Sequence, residues 1–67
     1  MKARELIRIL EADGWYFANQ RGSHRQYRHP TKPGKVTVAG KLSDEVAPGT
    51  LGSAYRQAGI RREDRDQ

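Results

Sequence analysis

Apolar residues recur along this chain with two different periods. Near the start, Ala3, Leu6, Ile7 and Leu10 follow an i, i+3, i+4, i+7 spacing, which lines up a single stripe on a helix. The spacing predicts a helix over Lys2–Asp13, and Gly14 supplies the left-handed residue on which helices commonly stop. The period then drops to two. "WYFANQ" reads as a strand rich in aromatics, with Trp15, Phe17 and Asn19 predicted on one face and Tyr16, Ala18 and Gln20 on the other. "RGS" is a tight turn centred on Gly22. "HRQYRH" resumes as a second strand and ends at Pro30, which cannot continue a central ladder. After a further turn at "TKPG", "KVTVA" forms a third strand with Val36 and Val38 on one face. "GKLSDEVAPGT" is a polar connection. A last helix is expected to start near Pro48, with Leu51, Ala54, Tyr55 and Ala58 as its stripe. Gly59 stops it, and Ile60 folds back as the hydrophobic contact that follows.

The predicted order is α-β-β-β-α, and the class is α+β. Two striped helices need a common surface. One face of a three-stranded antiparallel sheet supplies it, which leaves the other face to solvent. This is the outline of the double-stranded-RNA-binding-domain fold, and function has to be argued separately from a site. Residues 1–60 read as one domain. Residues 61–67, "REDRDQ" preceded by a further arginine, alternate in charge without an apolar residue and read as a flexible tail.

Composition narrows the picture in three ways. A chain of 67 residues buries only a modest core. It has no cysteine, so disulfides and thiolate metal sites are excluded, and a reducing cytoplasm is the expected location. No apolar run approaches a membrane span, and the first residues lack the apolar core of a signal peptide.

Charge changes the picture more. The net charge is +5, and its distribution is uneven. Gly14 to Lys41 carries six bases (Arg21, Arg25, Arg28, Lys32, Lys35 and Lys41) and no acid, whereas the segments on either side are close to balanced. A polyanion is the natural partner for such a surface. The competing explanation is a solvated face that aids solubility.

The stretch "RGSHRQYRHP", Arg21 to Pro30, holds both histidines of the chain. Alternation places His24, Gln26 and Arg28 on one face of the strand, and Arg25, Tyr27 and His29 on the other. Tyr27 is the largest apolar group of the run and marks the helix-packed face. His24 is therefore expected in solvent, just after a turn where Gly22 lets a ligand approach the backbone. Imidazole titrates near neutral pH and suits general acid–base work. RNA offers a matching reaction, because its 2′-hydroxyl can attack the adjacent phosphate and basic side chains can stabilise the charge that develops. The plain alternative is an ordinary exposed turn histidine.

His29 is five positions further on and turns to the opposite face, where it caps or packs the strand edge. Arg25, Arg28, Lys35 and Lys41 are the candidate phosphate contacts, with solubility as their alternative role. Trp15, Tyr16 and Phe17 could stack on bases, but a small core claims most of them, with Tyr16 the one expected outside. Two histidines without cysteine fit no zinc spacing. Asp44 and Glu45 read as a solvated turn, no glycine loop of nucleotide-binding type is present, and Ser23 has no oriented base.

The blocks "ELIRILEADGW", "RGSHRQYRHP", "KVTVAGKLSDEVAPGTL" and "QAGI" resemble the HicA toxins of HicAB toxin–antitoxin systems over roughly residues 1–60. The resemblance implies a toxin of the double-stranded-RNA-binding-domain fold that cleaves mRNA, an mRNA interferase. It implies that the histidine of the glycine-serine-histidine motif, here His24, is catalytic, and that a HicB antitoxin binds the toxin and occludes it. No metal or organic cofactor is implied. A monomeric toxin would join a larger complex with its antitoxin. Many members carry a proline-histidine-proline segment after the third strand, where this chain reads "VAGKL", so one further histidine is missing and His24 is more isolated. Beside it, Gly22 is expected to shape the turn and Ser23 to orient His24 or its substrate. Two readings without chemistry remain: an RNA-binding domain using the same basic face, and an interaction module that docks an acidic partner.

Overall fold

A computed structural model describes residues 1–60; the charged segment 61–67 lies outside the described residues. Helix α1 spans Ala3–Ala12, strands β1, β2 and β3 span Tyr16–Arg21, His24–Arg28 and Val36–Ala39, and helix α2 spans Pro48–Ala58. The strands form one antiparallel sheet in the order β1-β2-β3. The fold is thus the double-stranded-RNA-binding-domain-like α-β-β-β-α arrangement that the periodicity predicts.

The α1 stripe is buried as expected, at Ala3, Leu6, Ile7 and Leu10. Its first free N–H groups go to the loop before α2: Ala3 N donates to the Asp44 carbonyl at 2.9 Å and Arg4 N to the Leu42 carbonyl at 3.1 Å. These bonds satisfy the donors that a helix start leaves open, and they stitch the loop to α1. Glu45 accepts from the terminal ammonium and from Lys2, and these two contacts hold its carboxyl below the usual carboxylate range. α2 buries Ala54, Tyr55 and Ala58. It ends at Gly59, after which Ile60 N donates to the Tyr55 carbonyl and the Ile60 side chain packs back into the core.

Both helices pack on the sheet face that carries Tyr27, Val36 and Val38, with Trp15 closing one end of the core. Burying side chains of this size stabilises by about 1.5–3 kcal/mol each. The opposite sheet face is open.

β1 departs from simple alternation. Phe17 pairs with Tyr27 and Asn19 with Gln26, so Ala18 is an extra residue, a β-bulge. Beyond it the faces exchange. Asn19 lies with Tyr16 on the open face, and Gln20 turns to the Phe17 side, the reverse of the predicted grouping. Phe17 also departs from the expected packing. It is 51% exposed, like Tyr16 at 52%, because β1 is an edge strand exposed along its whole length. Phe17 stands edge-to-face on Tyr27 of the core, ring centroids 6.0 Å apart.

Candidate active strand

The two-residue turn Gly22–Ser23 joins β1 to β2 and pairs Arg21 with His24. Gly22 has φ +56, and among the described residues no residue other than glycine has positive φ. Positive φ at the first central position alone is the pattern of a II′ hairpin turn, which glycine enters without steric cost. Gln20 Nε2 donates to the Gly22 carbonyl at 2.7 Å and pins the turn.

The open face is built in rows by the strand pairing. Arg21, His24 and Ala39 form the row next to the turn. Asn19, Gln26 and Thr37 form the next, where Thr37 Oγ1 donates to Gln26 Oε1 at 2.8 Å. Tyr16 and Arg28 form the third. Arg28 Nη1 donates to the Gly34 carbonyl at 3.2 Å, which brings it beside the exposed Lys35. His24 is exposed, and among the described residues its ring makes no hydrogen bond or ion pair. Ala39 across from it is small and leaves room beside the imidazole.

His29 is its opposite in every respect. One ring nitrogen, Nε2, lies 2.7 Å from the Asp13 carbonyl. The other, Nδ1, accepts from the backbone N–H groups of Thr31 and Lys32, each at 3.1 Å. With Nδ1 accepting twice, Nε2 carries the hydrogen and donates to Asp13. The ring also stands edge-on to Trp15, centroids 5.2 Å apart. Gly14, at φ +105, passes so close that a Cβ there would lie 2.7 Å from His29 Nε2. Lys32 completes the knot, its ammonium bonding the Asp13 carboxylate and the Ala58 carbonyl. His29 thus ties the end of β2 to the end of α1, as its predicted face requires. Tyr27 on the same face has its phenol pushed up by burial, against the opposing pull of Arg25.

The other expected contacts divide between two sides of the hairpin. Arg28 belongs to the open face with His24, and the exposed Lys35 lies just before β3. Arg25 turns to the helix side, where its Nη1 donates to the Gly40 carbonyl at 3.0 Å. Lys41 follows in that same loop, and Ser23 borders both sides. Sequence reasoning missed Arg21, which pairs directly with His24 on the open face. The two-residue spacing of the turn was the available signal, but the bulge masked it. Among the described residues, no three His, Cys, Asp or Glu side chains gather where they could hold a metal ion.

A small α-β-β-β-α protein with a solvent-facing histidine on the uncovered, basic face of its sheet belongs to the double-stranded-RNA-binding-domain-like class. Within that class, residues 3–60 match the family described as "HicA toxin of bacterial toxin-antitoxin". The chain belongs to the HicA toxin family; it is the toxin of a toxin–antitoxin pair and has an antitoxin as partner. No curated protein matches it at a significant level. Among the described residues no helix is long and apolar enough to cross a membrane.

Proposed function

We propose that the protein is an endoribonuclease that cleaves mRNA without a metal, acting in the cytoplasm and held inactive by a HicB-type antitoxin. The observation that carries this reading is the contrast between the histidines: His29 has both ring nitrogens engaged, and His24 presents both to solvent among cations. In the proposed reaction His24 takes the proton of an RNA 2′-hydroxyl. The 2′-oxygen attacks the adjacent phosphorus, and the bond to the 5′-oxygen breaks. The departing oxygen takes a proton from the imidazolium or from solvent. Arg21 and Arg28, with Lys35, stabilise the charge gathering on the phosphoryl oxygens. Gly22 sets the turn, and Ser23 orients His24 or the substrate.

Incubating purified toxin with RNA in the presence of EDTA tests the reading. Cleavage that persists, and that antitoxin suppresses, is expected; intact RNA after hours would sink it. The second reading, RNA binding without chemistry, is favoured by one observation: among the described residues no carboxylate orients the His24 ring. It predicts retention of RNA without cleavage. On either reading, Arg28→Ala and Lys35→Ala are each expected to weaken RNA binding and to make its salt dependence shallower by about 0.7 in log–log slope. Fluorescence anisotropy over a salt series measures this, and an unchanged slope would remove the residue from the interface.

A further inference from the structure

On the far side of the Gly22–Ser23 turn from His24 lies a cleft of about 480 Å³, lined by Arg4, Gln20, Ser23, Arg25, Lys41 and Ser43 among others. Among the described residues its lining holds three cations and no acid. The acids of the neighbouring segments already have partners, and Asp44 stands directly behind the wall, where a Cβ at Gly40 would lie 2.7 Å from its Oδ2. Asp44 accepts from Lys41 N at 2.9 Å, Glu45 pairs with Lys2, and Glu5 accepts from Lys2 N. The side chains of Arg4 and Lys41 make no hydrogen bond or ion pair among the described residues, and Arg25 is anchored on the Gly40 carbonyl. The walls are fixed by the bonds from Ala3 and Arg4 to the loop, and by Gly40 N donating to the Ser23 carbonyl at 3.0 Å. The turn between the cleft and His24 is open at Gly22, where among the described residues a Cβ would meet no atom within 4 Å.

Three cations around a polar, acid-free hollow suit a phosphodiester group, and two serines and a glutamine add neutral hydrogen-bonding groups. We infer that this cleft is a second phosphate site, which holds the RNA backbone after it rounds the hairpin turn from His24. The inference rests on the RNA-cleaving reading and extends it. The substrate wraps the Gly22–Ser23 turn, with one phosphate presented to His24 and a neighbouring one held by Arg4, Arg25 and Lys41. Such a wrap requires a flexible single strand and disfavours a stiff duplex.

The test uses full-length protein in a His24→Ala background, so that RNA stays intact. A short single-stranded RNA is titrated between ~50 and ~200 mM salt. Arg4→Gln with Lys41→Gln is compared with Arg8→Gln plus Arg56→Gln, which removes equal charge from exposed helix positions outside the cleft. The cleft pair is expected to flatten the log–log slope by about 1.4, so that its affinity falls about 7-fold less than the parent's over that range. The helix pair is expected to change the slope little. Equal changes in both pairs would mean that only net charge matters, and would overturn the inference. So would an unchanged slope in the cleft pair; if the protein with His24 intact still cleaves RNA, the nuclease reading then survives alone. A cleft pair that binds RNA normally but loses antitoxin affinity would assign the cleft to an acidic protein segment instead. If the protein neither binds nor cleaves RNA, both readings fall.

Discussion

Replacing His24 with alanine is expected to lower RNA cleavage by roughly 100- to 10,000-fold, the usual contribution of a positioned acid–base group, while leaving stability within about 0.5 kcal/mol of the parent. The two halves of this expectation have the same cause. The ring is exposed and makes no hydrogen bond or ion pair among the described residues, so its loss removes no contact that holds the fold. Parallel assays on purified protein would follow RNA cleavage and the urea midpoint. In cells without antitoxin, His24→Ala should permit growth. If it arrests growth as strongly as the parent, His24 is not the catalytic group.

His29→Ala should give the reverse outcome. It strips the Asp13 carbonyl of its donor, leaves the Thr31 and Lys32 N–H groups without their acceptor, and removes the edge of a ring from Trp15. Unmade bonds and lost aromatic contact together cost about 2–3 kcal/mol, allowing for partial access of water. In a domain of this size that is a Tm lower by roughly 10–20 °C. Measured well below that Tm, the folded protein should still cleave RNA at a rate within a small factor of the parent. A stable but inactive His29→Ala protein would contradict this assignment and give His29 a part in the chemistry. The pair of substitutions separates two residues of one type, five positions apart, into activity and stability.

Much of this division could be read from sequence. The helices were readable because their apolar stripes are bounded by strong local signals: Gly14 after α1, Pro48 at the start of α2 and Gly59 after it. The separation of His24 from His29 needed only the alternation of β2, with Tyr27 to say which face is covered. What escaped has no local signature. Ala18 looks like any strand residue, and nothing nearby announces that it is the extra one. Phe17 looks like core, and its exposure follows from how far the helices reach across the sheet. Arg4 is an ordinary helix cation until the loop at Leu42–Asp44 binds its backbone and carries it to the cleft. The partners of His29 are mostly backbone groups, about which side-chain identity says nothing.

The bulge at Ala18 resolves a conflict of phase within one strand. Trp15, just before β1, and Arg21 at its end are an even number of residues apart, so an unbroken extended run that committed Trp15 to the interior would commit Arg21 to the same side. The core and the candidate site would then compete for the register of the hairpin. One unpaired residue lets each end of β1 follow its own constraint: the beginning answers to the helices, and the end delivers a guanidinium next to His24. Deleting Ala18 would force the strand to satisfy only one of the two, either keeping the interior and turning Arg21 away, or keeping Arg21 and displacing Trp15.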